Sequence, residues 1–232
     1  MFKQIGFGLL WIGLVTYAFV FAPAQQPDTL ALIKNLSTGQ WQGINPLIIA
    51  LFNLMGFLPM IYACLLFIDG KGQKIPAWPF ATGSFFVGAF ALLPYLALRQ
   101  SNPNFRGKKN FFLKVLDSRL IGISLTIGVI VFLAFGLLKG NWGDFVQEWQ
   151  TNQFIHVMSL DFCLLCCLFP ALLGDDLARR GIDNSLVFWI ITLVPLLGIL
   201  AYLSLRPPVR EINQATLANQ SKTDNQLITK LE

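Results

Sequence analysis

Asp161 is the only acidic residue set well inside an apolar stretch of this chain, and Asn53 occupies the matching place in the first half. A charge at the centre of a bilayer costs at least about 2.5–3.5 kcal/mol on insertion scales, so a carboxyl there is protonated, paired or turned toward a polar interior. Both residues lie about seven positions into their stretches, or roughly 10 Å along a helix rising about 1.5 Å per residue. With Ser159 they make a candidate midplane polar site. Two chemistries fit it. One is a set of hydrogen bonds locking helices together, worth on average only about 0.6 kcal/mol each in membranes. The other is the proton or ion site of a small transporter.

His156, the single histidine, stands near the start of the same stretch, five residues from Asp161 and around the helix from it. An interfacial anchor is the plain reading. An axial ligand to a tetrapyrrole is the sharper one, and it would need a free ring nitrogen. Cys163, Cys166 and Cys167 fall at i, i+3 and i+4, and Cys163-Leu-Leu-Cys166 matches C-x-x-C in form. Redox pairs need an exposed, electropositive setting, whereas these sit among leucine and phenylalanine and read as apolar packing, with no metal set around them. Asp175 and Asp176 precede Arg179 and Arg180 at i, i+4 spacing, which suits ion pairs that pin a helical hairpin. Alternatively they join Arg106, Lys108 and Lys109 as a surface for a partner or for lipid. Neither a Ser-His-Asp set, a phosphate loop nor a paired general acid and base is found, so an enzyme is not expected, nor is a cofactor.

The elements that hold these residues belong to a bilayer. The chain has 232 residues, 55% of them hydrophobic and only 12% charged, with mean hydropathy +0.61. That is too apolar for a soluble domain of this length. A net charge of +5 points to lipid headgroups rather than nucleic acid. Six spans are expected at 5–22, 46–68, 78–98, 120–138, 155–174 and 185–205, all helical because unpaired backbone groups are costly in hydrocarbon. The first imitates a cleavable signal peptide ending in Ala22-Pro23-Ala24, but the counterpart starting at Leu120 argues for a retained span.

That counterpart is part of a repeat. Trp41-Gln42, Asn53, Asp69 and Tyr95-Leu-Ala-Leu-Arg99 recur as Trp149-Gln150, Asp161, Asp176 and Tyr202-Leu-Ser-Leu-Arg206. Ile5-Gly6 and Ile121-Gly122 open the two copies, placed at about 1–100 and 116–207 within a membrane domain of 1–208, followed by a polar tail at 209–232. A unit of three spans must reverse when repeated, so the expected fold is an all-α membrane protein of two three-helix inverted repeats. Asp28 reads as the cap of a short interfacial helix whose counterpart begins near Asp144. Basic residues place the third loop in the cytoplasm or its equivalent, with both termini opposite.

Gln73-Lys-Ile-Pro-Ala-Trp-Pro-Phe, His156-Val-Met-Ser-Leu-Asp-Phe and Leu203-Ser-Leu-Arg-Pro-Pro resemble a family of uncharacterised polytopic membrane proteins of cyanobacteria and plastids. The resemblance implies a cyanobacterial plasma or thylakoid membrane, or a plastid membrane, and carries no activity over to any residue. Two functions are therefore expected from different classes. The first is a non-enzymatic accessory or assembly factor for a membrane complex, possible partners being that complex or a second copy of the chain. The alternative is a small ion- or proton-coupled transporter centred on Asp161 and Asn53.

Overall fold

A computed structural model describes residues 2–105, 108–209 and 211, and every regular element among them is helical. The first half runs α1 (Phe2–Thr16), a π-helical turn (Tyr17–Phe21), α2 (Thr29–Thr38), α3 (Pro46–Asp69), α4 (Trp78–Val87) and α5 (Ala89–Leu98). After α6 (Phe111–Leu116), the second half runs α7 (Arg119–Lys139), α8 (Trp142–Thr151), α9 (Gln153–Leu168), α10 (Pro170–Arg179), α11 (Ser185–Leu193) and α12 (Leu197–Leu205). The polar tail and Arg106 lie outside the described residues, Val209 and Glu211 excepted.

Four helices are long and apolar enough to cross a membrane: Phe2–Phe21, Pro46–Asp69, Arg119–Lys139 and the continuous Gln153–Arg179. The chain is thus an all-helical protein compatible with membrane localisation. The other two expected spans, 78–98 and 185–205, are not among these four. Each is broken in the middle and folds back to the end from which it started. In the first, α4 and α5 pack on each other, and Gly83 approaches so near Ala91 that an added Cβ would lie 3.1 Å from the alanine methyl. The bend is at Gly88, whose φ of 51° and ψ of −124° suit a residue without a side chain. The hairpin ends are tied together: Gln73 Nε2 donates to the Gln100 carbonyl at 2.6 Å, and the Gln100 N–H donates to Gln73 Oε1 at 2.9 Å. In the second hairpin α11 and α12 meet at Val194-Pro195-Leu196, where proline removes a helical donor and Leu196 adopts a φ of 64°.

The inverted arrangement rested on an odd number of spans per copy, and that premise does not hold. Each half instead contains two long helices and one doubled-back hairpin. The Gln4 amide of α1 donates to the Arg99 carbonyl at the foot of α5, and Trp11 Nε1 donates to the Phe90 carbonyl near the bend. In the second half Arg119 Nε donates to the Arg206 carbonyl in the same way. The start of α1, the third loop and the end of α12 therefore meet at one end of the molecule, whereas the termini were expected opposite that loop.

Helix α3 is the axis of the core. Leu58, Ile61, Tyr62, Leu65 and Leu66 on it are fully enclosed. Against it α7 runs antiparallel at close range, because Gly136 leaves no room for a Cβ, which would fall 2.6 Å from that of Ala50. Tyr62 donates to the Leu165 carbonyl at 2.5 Å and stacks on Phe169 with ring centroids 4.3 Å apart, joining α3 to α9 and α10. At the far end α2 and α8 cover a smaller apolar layer containing Leu36, Ile48, Ile155 and Met158. Asn141 caps α8 through the N–H groups of Gly143 and Asp144, as expected of a short interfacial helix. Asp28 does not cap α2 with its side chain, contrary to expectation.

Candidate functional site

Two polar constellations occupy different depths. The first, at the end where both hairpins are rooted, is a buried ionic layer. Asp69, with no exposed surface, accepts from Arg99 Nη2 and Arg179 Nη2, both at 2.6 Å, and from the Tyr95 hydroxyl at 2.7 Å. Asp176, equally enclosed, accepts from Arg180 Nε at 2.9 Å, Arg206 Nη1 at 3.3 Å and the Tyr202 hydroxyl at 2.7 Å. The same triad of Asp, Tyr and Arg is thus built once in each half, and Arg179 bridges the two by reaching Asp176 at 3.5 Å as well. Asp175 joins through Arg99 and the Ser101 hydroxyl. Asp117 takes Arg180 at 2.7 Å and Lys109 at 2.9 Å. Burial pushes the Asp117 carboxyl up, but the Arg180 guanidinium and the Lys109 ammonium outweigh it and hold the group below the usual carboxylate range.

This layer corrects the reading of Asp176, Arg179 and Arg180 as a docking surface, since all three are buried. Enclosed charges need such partners, because each would otherwise pay several kcal/mol of desolvation. Lys108 is exposed, while Lys109 is drawn inward to Asp117. The layer also collects Asp69, Tyr95, Arg99, Asp117, Tyr202 and Arg206, which the reading by site chemistry passed over. Their signal was present, because five of these six are repeat residues.

The second constellation lies deeper, at the bend of the first hairpin. Asp161 on α9, 4% exposed, accepts the Ala89 N–H at 2.8 Å through Oδ1. That N–H is the first of α5, so the carboxyl sits on the positive end of a half-helix. Its Oδ2 faces Gly88, where an added Cβ would lie 1.9 Å away. No protein-family model, curated protein or solved structure matches the chain. Its chemistry therefore has to be read from this geometry alone.

Asp161 closes the floor of a groove of about 560 Å³. Phe52, Met55, Phe85, Phe90, Phe154 and Met158 give it apolar walls, and Ser84, Gln25, Thr29 and Gln153 add a few polar groups. Phe19 and Phe86, 80% and 84% exposed, belong to the same lining and give it an exposed aromatic rim. The π-helical turn builds part of this wall. It bonds the Ala22 N–H to the Tyr17 carbonyl and leaves the Ala18 carbonyl to accept Gln153 Nε2 at 2.9 Å.

The three members of the expected midplane site are not brought together. Asn53 donates to the Ile49 carbonyl at 2.8 Å and Ser159 to the Ile155 carbonyl at 2.7 Å, both within their own helices. Neither bonds Asp161. His156 is held on both sides, Nδ1 to the Trp149 carbonyl at 2.8 Å and Nε2 to the Tyr17 hydroxyl at 2.9 Å, with both rings stacked on it. The carbonyl can only accept, so Nδ1 carries a proton. The free nitrogen that an axial ligand requires is absent. Cys163 and Cys167 face outward, whereas Cys166 faces the core.

Proposed function

We propose that this chain is a small membrane carrier, proton- or cation-coupled, working through Asp161 and the bend of the first hairpin. The observation that carries this reading is the bond from the Ala89 N–H to Asp161 at the floor of an open groove. Interrupted helices inside a bilayer are tolerated where they are buried or line a cavity, and in transporters their half-helix ends form the binding site. A carboxyl within a span marks a proton or ion pathway by default. Asn53 is left out of the site, because its side chain is spent on its own helix.

We further infer that the two halves are parallel copies related by an axis along the membrane normal, rather than an inverted pair. Two spans and a re-entrant hairpin return the chain to its starting side, and Arg179 shared between Asp69 and Asp176 fits that arrangement. Sidedness follows from it. Of the Lys and Arg residues described, only Lys34 and Lys139 belong to the end away from the ionic layer. Such a bias puts the ionic end in the cytoplasm or stroma. A cyanobacterial or plastid membrane is proposed on the resemblance alone.

Ser84 is buried in the groove wall and tests the carrier reading. With the native cysteines replaced by alanine, Ser84→Cys in sealed membranes should react with a water-soluble maleimide, because a carrier must open its site to water. A thiol that stays unreactive from both sides would refute transport. The exposed aromatic rim at Phe19 and Phe86 favours one other reading, an assembly factor receiving a partner's membrane helix. Stoichiometric recovery of a larger complex in mild detergent, from wild type and Asp161→Asn alike, would support it.

A further inference from the structure

We propose that the groove at Asp161 takes a membrane-dissolved amphiphile with a cationic, hydrogen-bond-donating head, of the alkylammonium class. This proposal rests on the carrier reading for what happens to the ligand, but not for the ligand's chemistry. Three observations fix that chemistry. The lining residues include one ionisable side chain, Asp161, and no Lys, Arg or His. The positive end of α5, which would otherwise attract an anion, is already taken by Asp161 Oδ1. Once ionised, Asp161 repels a carboxylate or phosphate head and attracts a cationic one. Asp161 Oδ2 accepts no hydrogen bond among the described residues, although the residue is 96% enclosed, given its 4% exposure. An ammonium supplies both the charge and the donors that this oxygen lacks.

Shape and access agree with charge. A volume of about 560 Å³ falls in the range of small-molecule sites. The rim at Phe19 and Phe86 is exposed and aromatic, which suits a ligand that approaches from the bilayer and not from water. The walls of Phe52, Met55, Phe85 and Phe154 accept a hydrocarbon tail. Gly88 lets the Asp161 carboxyl come up against the bend, since a Cβ there would lie 1.9 Å from Oδ2.

The test uses the full chain in nanodiscs of phosphatidylcholine and a diazirine-bearing dodecylamine as photolabel, displaced by unlabelled dodecylamine, dodecanol or dodecanoate. Dodecylamine should displace the label at least ten times more effectively than dodecanol, and dodecanoate should be the weakest. Asp161→Asn, which keeps an oxygen for the Ala89 N–H, should abolish the preference for amine over alcohol. Met55→Trp should block labelling with Asp161 intact. Equal potency of amine and alcohol on the wild type, which depends on no variant, would overturn the proposal, as would an unchanged preference in Asp161→Asn. Selective labelling combined with an unreactive Ser84→Cys would sink the carrier reading and leave the ligand class standing. A reactive Ser84→Cys with no amine preference would do the reverse.

Discussion

Arg179→Met tests the arrangement on which every other statement depends. The guanidinium donates to Asp69 across the two halves at 2.6 Å, to the Asn102 carbonyl at 2.7 Å and more weakly to Asp176 at 3.5 Å, with 1% of its side chain exposed. Methionine keeps much of the volume and removes all three bonds. Breaking a buried ion pair by deleting one partner costs about 3–5 kcal/mol, much of it the stranded charge left behind. Asp69 retains Arg99 and Tyr95, which puts the expected loss near the lower bound, about 3 kcal/mol. For a chain of this size each kcal/mol moves the midpoint by about 2–4 °C, so the melting temperature should fall by about 6–12 °C.

A double-mutant cycle makes the result decisive. Asp69→Asn alone should destabilise, because Arg99 and Arg179 then share a neutral oxygen. Combined with Arg179→Met it should cost clearly less than the two single losses added together, with a coupling of at least about 1 kcal/mol. The assay is thermal unfolding in one detergent, followed by tryptophan fluorescence and by recovery on size exclusion. Losses that simply add would mean that the foot of α3 and the end of α10 do not meet. The same-end geometry of both hairpins would then fall, and the parallel arrangement with it.

Asp117 gives a pH dependence whose sign is fixed: its folded pKa is depressed, so its contribution is complete above the unfolded value near about 3.9 and is lost as pH falls through the folded one. The melting temperature should therefore drop below about pH 4, and Asp117→Asn should flatten part of that drop in a titration from pH 5 to 3. Gly88→Ala combines a strained φ of 51° with a Cβ 1.9 Å from Asp161 Oδ2, so a loss of at least about 2 kcal/mol is expected in the same melt. An unchanged midpoint would show that the bend is not held against α9. His156→Phe should keep the stack on Trp149 and lose two hydrogen bonds, costing about 1–3 kcal/mol, and a larger cost would point to a role beyond anchoring. In a cysteine-free background, Lys34→Cys should react with an impermeant maleimide from outside the cell and Lys114→Cys should not; the opposite pattern would reverse the assigned sidedness.

Much of the fold was legible in the sequence, but not its direction. Hydropathy finds the long helices, because α3, α7 and the α9–α10 run are continuous apolar stretches ending at Asp69, Lys139 and Arg179. It cannot distinguish a span from a hairpin, since 78–98 and 185–205 are as apolar and nearly as long. The difference lies in one residue of each. At Gly88 and at Pro195 the backbone ends one short helix and leads into another. Asp69, Arg99 and Tyr95 held the answer, since a carboxylate and a guanidinium that must both be buried must also be neighbours. Recognised only as marks of a repeat, they gave no sign of sharing one end. Asp161 was found by its isolation, whereas its partner could not be, because a backbone N–H has no sequence signature.

The two hairpins also explain why a duplicated scaffold carries a single site. At the offset that aligns Tyr95 with Tyr202, Gly88 aligns with Pro195 and Ala89 with Leu196. Pro195 carries a ring where Gly88 has no side chain, and Leu196 places a buried leucine side chain where the first bend has Ala89. The space beside that second bend is about 10 Å³, at or below what one water requires. The repeat residue matched to Asp161, one position off this offset, is Asn53, turned back on its own helix. Two changes thus act in the same direction: no cavity and no charge. The ionic triad, by contrast, is kept in both halves with the same three residue types in the same roles. The foot of each hairpin is needed to anchor the fold, while only one bend is left with open space and a carboxyl.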